Sequence, residues 1–209
     1  MKIDLHLPLM GEKINELLTK SSSLFMTYGI KSLTMNDISS RLGISKKTLY
    51  NYVSDKNDLV YKCIDLIVRE NECEIASLCQ SAENAIEELF AFSRFAGEQI
   101  SAIHPSIFFD LQKYHPEAWA HLNSFEEKTI LEVTKRNLIR GVDEGLFRKD
   151  FNVNLIAQIY LSMVQNIFYY TPKLLAGLTL ADYYKNMFDY HIRGIASENG
   201  IKLINQHNN

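Results

Sequence analysis

The stretch from Ser45 to Tyr52 holds many hydrogen-bond donors around a single strongly apolar residue, Leu49. The donors are two lysines, a threonine hydroxyl, two phenols and an amide: Lys46, Lys47, Thr48, Tyr50, Tyr52 and Asn51. A helix that buries Leu49 would direct them outward, where they could meet the phosphates and base edges of a DNA major groove. The alternative is an ordinary helical hairpin with a solvated polar face, because capped helix pairs are common.

The residues before this stretch predict a second short helix that would hold it in place. Thr34 is a good N-cap, and Asp37 follows three residues later, as in an acidic capping box. Gly43 can take the positive φ that ends a helix, and Ser45 can cap the next one, which we expect to run from Lys46 to Tyr52. The pattern therefore predicts a helix-turn-helix.

The run from Ile14 to Leu59 resembles the DNA-binding domain of the TetR/AcrR family of bacterial transcriptional repressors. The residues that carry the resemblance are Phe25, Tyr28, Gly29, Thr34, Ile38, Ser39, Gly43, Ile44, Ser45, Thr48, Leu49, Tyr50, Tyr52, Lys56 and Leu59. Two positions depart from the usual family pattern, Val53 in place of Phe and Ser39 in place of Ala. The resemblance implies a homodimer that binds a palindromic double-stranded DNA operator. The implied DNA-contacting residues are Thr34, Met35, Ser45, Lys46, Lys47, Thr48, Tyr50, Asn51, Tyr52 and Lys56.

Charge supports a local DNA-binding surface. The formal net charge is −3, yet residues 1–60 carry eight Lys and Arg against six Asp and Glu, and the remainder carries fourteen against nineteen. The acidic bulk should then lie away from the phosphates. Because the local basic excess is small, we expect one DNA-binding head to bind weakly and two heads on a dimer to be needed.

An all-α fold of about nine helices is expected, because glycine and proline are few and β-branched residues never alternate with polar ones over a useful length. We expect a frayed arm at 1–9 and a first helix from about Gly11 to Tyr28. The predicted domains are a helix-turn-helix domain at 10–55, a helical effector-binding and dimerisation domain at 56–197, and a disordered tail at 198–209. The fourth helix, opened by Lys56, would belong to both halves, and its N-terminal cation suggests a phosphate beside it.

Aromatic residues are concentrated between Phe90 and Phe125. At helical spacing they can form either a core or a ligand pocket, and both readings stay open. Ligand sensing, implied by the resemblance, favours a pocket for a small apolar or aromatic effector. The candidate pocket residues are Cys63, Ile67, Phe95, Phe108, Phe109, Trp119, Phe125, Asn166 and Tyr170.

The last third of the chain predicts two strongly apolar helices, Val153 to Tyr170 and a second one beginning after Thr179. In the family that this sequence resembles, such a pair forms a four-helix bundle across a two-fold axis. The alternative is that both helices complete the core of the monomer. The candidate interface residues are Ile156, Ile159, Met163, Ile167, Tyr184, Met187, Phe188 and His191.

Other classes of protein find little support. There is no phosphate-binding glycine loop or nucleophile elbow, and the histidines lack metal-ligand spacing, so we expect neither an enzyme, nor a metal site, nor a cofactor. No apolar run approaches a membrane span, and we expect a cytoplasmic protein without a membrane partner. The competing hypothesis is an all-helical small-molecule-binding protein whose hairpin does not bind DNA.

Overall fold

The computed structural model describes residues 6–104, 106–167, 177 and 179–207, with side chains from residue 11 onward. Its described residues form helices and no strand, apart from one isolated bridge between Phe147 and Ala196. The helices are α1 His6–Tyr28, α2 Met35–Arg41, α3 Lys46–Tyr50, α4 Lys56–Ser81, α5 Ala85–Ala102, α6 Ile107–Tyr114, α7 Pro116–Phe125, α8 Leu131–Asp143, α9 Val153–Ile167, α10 Leu180–Ile195 and α11 Glu198–His207. A π-helical turn, Glu126–Ile130, joins α7 to α8. The all-α prediction is confirmed.

The chain divides into two compact units that do not follow the predicted boundary at residue 55. The first unit comprises residues 1–71 and 102–123, and the second comprises 72–101 and 124–209. The helix-turn-helix therefore shares its unit with the first part of α4, with α6 and with most of α7. Long-range packing places α6 there, and no local sequence signal announces it.

The core of the first unit forms beneath the helix-turn-helix. Apolar residues of α1, α2, α3 and α4 are almost fully buried there: Leu17, Leu18, Phe25, Ile38, Leu49, Leu59, Val60 and Cys63. Leu49 has no exposed surface, which fixes the face of α3 that points inward. Burial of that one side chain contributes roughly 2 kcal/mol to the stability of the unit.

The second unit is built around a cluster contributed by α5, α8, α9, α10 and α11. Its buried members include Ile86, Leu138, Ala157, Phe188 and Ile204. None of the helices in the described part of the chain is long and apolar enough to cross a membrane.

Two predictions about the chain ends were wrong. The tail predicted to be disordered forms α11, because Ile204 is completely buried in the cluster of the second unit and Ile201 and Leu203 pack against that cluster. The polar Asn-Gln-His-Asn-Asn ending favours disorder, but three of the four residues just before it are apolar and have a core to pack against. At the other end, α1 begins at His6, within the segment predicted to be a frayed arm.

Candidate nucleic-acid interface

The start of α2 is held by the capping box that the sequence predicts. The Asp37 N–H donates to Thr34 Oγ1 at 3.2 Å, and the Thr34 N–H donates to Asp37 Oδ2 at 2.8 Å. Hydrogen bonds from Thr34 hold the pKa of Asp37 below its usual value. After α2, Gly43 takes φ +68°, which permits the tight turn toward α3.

Helix α3 is shorter than predicted, and its outward face consists of donors. It ends at Tyr50, with Asn51 as its C-cap, whereas we expected it to extend to Tyr52. The Thr48 N–H donates to Ser45 Oγ at 3.0 Å, which caps the N-terminus as predicted. Lys46, Lys47, Tyr50 and Asn51 are all exposed. Within the described residues, neither lysine forms an ion pair, so both ammonium groups can meet an anion.

Two further predicted contact residues are only half-exposed. Thr48 and Tyr52 line a cavity of about 200 Å³ together with residues of α1, including Lys13 and Lys20. The carbonyl of Tyr52 accepts a hydrogen bond of 2.9 Å from Lys62 Nζ, which ties the end of the helix-turn-helix to α4. The side chains of Thr48 and Tyr52 are therefore less accessible than those of Lys46 and Lys47.

Met35, one of the predicted DNA-contacting residues, is largely buried. It is only 9% exposed and belongs to the core at the start of α2. An apolar residue at the first position of a helix can point either way, and here the capping geometry turns it inward. Its side chain therefore has little exposed surface.

Lys56 has a structural task that the sequence did not reveal. Its Nζ donates to the carbonyl of Ile30 at 2.7 Å and also to the carbonyl of Leu33. Burial lowers the pKa of Lys56, while the nearby carboxylates of Asp110 and Asp37 act in the opposite direction. Two of its three donors are thus used to hold the loop between α1 and α2, and at most one remains for a phosphate.

The candidate pocket residues are distributed over both compact units. In the first unit Cys63 and Phe108 are buried, Ile67 and Trp119 are half-buried, and Phe109 is exposed. Burial raises the pKa of the Cys63 thiol to about 12, so this cysteine stays protonated and unreactive at neutral pH. In the second unit Phe125 is buried, Phe95 is half-buried and Asn166 is exposed. Tyr170 lies outside the described residues.

The candidate interface residues split into two groups. Ile167, Tyr184, Met187, Phe188 and His191 are buried within the second unit, so they belong to the core of one chain, as in the alternative interpretation. Ile156 and Met163 are half-buried, and Ile159 is 45% exposed. The apolar side chains that α9 and α10 leave at the surface include two that were not predicted, Leu155 at 59% and Tyr190 at 76%. Helical periodicity could show that both faces of α9 are apolar, but it could not show which face the monomer covers.

Sequence reasoning also missed a set of contacts between α6 and the loop before α2. The Lys31 N–H donates to Asp110 Oδ2 at 2.9 Å, and Lys31 Nζ donates to the hydroxyl of Tyr114 at 2.9 Å. Asp110 is 3% exposed, and an aspartate is almost never buried to this extent unless it is paired. No pattern in the sequence could pair positions separated by 79 residues.

Comparison with known proteins places this helix-turn-helix in a family. The sequence pattern that defines the bacterial regulatory proteins of the tetR family matches residues 17–62. An uncharacterised HTH-type transcriptional regulator of Bacillus subtilis, YvaF, is 29% identical over 137 residues, which span 62% of this chain and 72% of YvaF. The HTH-type transcriptional repressor KstR2 of Mycobacterium tuberculosis is 24% identical over 148 residues, spanning 68% of this chain and 72% of KstR2.

Solved structures agree on the fold over most of the chain. A TetR-family transcriptional regulator from Agrobacterium tumefaciens superimposes with a TM-score of 0.71 at 18% identity, covering 90% of this chain and 99% of that protein. The structure of KstR2, described as a ketosteroid transcriptional regulator, superimposes with a TM-score of 0.60 at 20% identity, covering 89% and 96% of the two chains.

Proposed function

Because the chain belongs to the TetR family of bacterial transcriptional regulators, we propose that it acts as a repressor that binds a palindromic operator as a homodimer. The observation that carries this proposal is the outward face of α3. There, buried Leu49 fixes the rotation of the helix and leaves Lys46 and Lys47 exposed, with no ion pair to any described residue. A short, rigidly seated helix with free donors is suited to a major groove.

Within this proposal the residues divide into two roles. Ser45, Lys46, Lys47 and Thr48 at the start of α3 approach base edges. The predicted backbone contacts are Thr34, Tyr50, Tyr52 and Lys56, of which Lys56 retains at most one donor. Asn51 follows α3 on its exposed side and can reach an adenine or a phosphate. Two-fold symmetry then predicts half-sites whose centres lie roughly 34 Å apart, or a larger multiple of the DNA turn.

The dimer in this proposal uses the surface of α9 and α10 that the monomer leaves open. Leu155, Ile159 and Tyr190 are the exposed large hydrophobic residues on these helices. Exposed side chains of this kind are favourable at an interface that excludes water. The interface therefore differs from the predicted one, since most of the predicted α10 residues are buried within the chain.

We further propose that a small apolar effector releases the DNA. The aromatic residues between Phe90 and Phe125 support a ligand of this type, and the relative KstR2 is described as a ketosteroid regulator. For release, the effector must bind the conformation incompetent for DNA better than the competent one, because equal affinity for both shifts no population.

Selection of bound sequences from a random duplex pool at physiological salt tests the proposal. The full-length chain should recover a palindrome, and a Lys46→Ala/Lys47→Ala double variant with unchanged circular dichroism should recover none. Recovery of no sequence above background by the wild type would refute operator binding. The protein would then be a helical small-molecule-binding protein with an inactive hairpin.

A further inference from the structure

The loop between α1 and α2, residues 29–34, determines where the helix-turn-helix begins, because Thr34 is the N-cap of α2. Gly29 ends α1 with φ +80°, and Ile30 and Leu33 are buried. Lys31 lies only three positions before Thr34. A shift of the Lys31 backbone therefore displaces the first turn of α2 and, through the tight turn at Gly43, α3.

Two side chains of opposite charge, half-buried Lys56 and buried Asp110, hold this loop. Lys56 on α4 donates to the carbonyls of Ile30 and Leu33. Asp110 on α6 accepts the N–H of Lys31 at 2.9 Å. The loop thus has its carbonyls fixed by one helix and an amide fixed by another. Residues 29–33 contribute few backbone hydrogen bonds of their own, namely Gly29 N–H to Phe25 and Leu33 N–H to Ile30.

The Asp110 carboxylate is itself oriented by the first turn of α6. Ser106 Oγ lies 3.3 Å from Asp110 Oδ2, and it also lies 3.0 Å from His104 Nδ1. The Asp110 N–H donates to the Ser106 carbonyl at 2.8 Å. With 3% exposure, the carboxylate has little access to water, so its hydrogen bond to the Lys31 amide is a charge-assisted bond in a protected site.

The segment just before α6 also lies close to Gly29, whose φ of +80° residues with a side chain rarely adopt. A Cβ on Gly29 would lie 2.7 Å from Ser106 Oγ and 3.4 Å from His104 Nδ1. The two surfaces are therefore complementary: the loop has no side chain where it meets His104 and Ser106, and Asp110 of α6 accepts the hydrogen bond of the Lys31 amide.

We propose that Asp110 is a positioning residue for operator binding, which holds the Lys31 amide and thereby sets the position of α2 and α3 relative to α6. Asp110 touches no DNA in this arrangement. It acts through the loop, so that a displacement of α6 reaches the DNA-binding surface through one carboxylate. The affinity consequence rests on the operator binding proposed above, whereas the hydrogen bond itself does not.

Three variants test this role. Asp110→Ala removes the acceptor, Asp110→Asn keeps an oxygen that can accept from the Lys31 amide, and Asp143→Ala removes an exposed aspartate of α8 as a control. A hydrogen bond to a charged group corresponds to roughly a 10- to 100-fold effect on an equilibrium. We expect Asp110→Ala to weaken operator binding by about 10-fold or more on that scale, and Asp110→Asn to recover most of the loss. Binding to a random duplex should change much less, because the lysines of α3 remain.

Two measurements separate this role from general damage to the fold. Titration of each variant at protein concentrations far above its dissociation constant gives the active fraction, so that affinity refers to folded protein only. Amide hydrogen exchange in the DNA-free protein reports directly on the Lys31 N–H. We expect faster exchange at Lys31 in Asp110→Ala and wild-type exchange in Asp143→Ala, while the amides of Leu49 and Val60 in the core stay protected.

Each outcome decides the inference. Unchanged exchange at Lys31 in Asp110→Ala would show that the bond does not protect the loop and would overturn the proposal. Faster exchange with wild-type operator affinity would also overturn it, because the bond would then have no positioning effect. Faster exchange in a protein whose wild type selects no operator would refute the proposed function, and the positioning role for operator binding would fall with it.

Discussion

Lys47→Ala in α3 tests base recognition by a single side chain. Lys47 is exposed and forms no ion pair within the described part of the chain, so its removal leaves no charge unpaired. Lys47 is the second residue of the five-residue helix α3 and its side chain is exposed, so replacement by alanine should change the free energy of unfolding by no more than about 0.5 kcal/mol. Any larger change in DNA binding therefore reports a lost contact.

The magnitude depends on what Lys47 touches. A contact with a base edge predicts a loss of about 1–3 kcal/mol per head, or roughly 5- to 150-fold in affinity for one half-site. A contact with a phosphate predicts a loss on every sequence instead. It also predicts a decrease of about 0.9 per head in the slope of log affinity against log salt concentration.

Fluorescence anisotropy with the selected operator, a half-site-scrambled duplex and a random duplex, each across a salt series, distinguishes these cases. Lys202→Ala on α11, which also removes an exposed lysine, is the matched control and should bind all three duplexes as the wild type does. If Lys47→Ala binds the operator with unchanged affinity and unchanged salt slope, then Lys47 contacts neither base nor phosphate. In that case the reasoning from the exposed face of α3 is refuted for this residue.

Further predictions concern stability and are measured by denaturant titration. Lys56→Met keeps the side-chain stem but leaves the buried carbonyl of Ile30 without its donor, and should lower the free energy of unfolding by about 1–3 kcal/mol; an unchanged midpoint contradicts this. Gly141→Ala should cost about 3 kcal/mol, because a Cβ there would lie 2.0 Å from the ring of Phe147. Gly97→Ala, where an added Cβ would meet no described atom beyond its own stretch of helix within 4 Å, should instead be neutral or stabilise by about 0.5 kcal/mol, and equal effects at the two glycines would refute the packing argument. Burial raises the pKa of Glu126 to about 7 and lowers that of His191 to about 4, so their effects on stability oppose each other between about pH 4.5 and 6.5. In Glu126→Gln the free energy of unfolding should rise with pH over this range, because the remaining group, His191, binds more protons in the unfolded state. In His191→Phe it should fall with pH, because Glu126 binds more protons in the native state. Each change is on the order of 3 kcal/mol, and parallel pH profiles of the two variants would contradict both pKa shifts.

Local chemistry was enough to predict the parts of this protein that depend on neighbours in the chain. Thr34 and Asp37 form their capping box and Ser45 caps α3, because each cap involves residues only three positions apart. The family could also be predicted, since its pattern lies within one short segment. The inward position of Leu49 followed from its being the one strongly apolar residue among donors.

What depends on distant parts of the chain was predicted poorly or not at all. The sequence showed that α9 and α10 are apolar, but Tyr184 and Phe188 proved to be core residues, while Leu155 and Tyr190 are exposed. The period of a helix identifies an apolar face, yet only the packed unit decides whether that face meets the same chain or is left for another. The tail likewise became a helix because a core was present to bury Ile204.

The sequence by itself determined the helix-turn-helix, its caps and its donors, because hydrogen bonds between residues three or four apart and the spacing of apolar side chains are local properties. Only the tertiary structure decided that Lys56 of α4 and Asp110 of α6 form hydrogen bonds with the loop before α2. In the sequence, a lysine at a helix start and an aspartate in a short amphipathic helix are both typical of surface positions. In the folded unit Asp110 is buried and Lys56 is half-buried, and a charge that loses contact with water is stabilised by hydrogen bonds, which these two form with backbone groups far away in the chain.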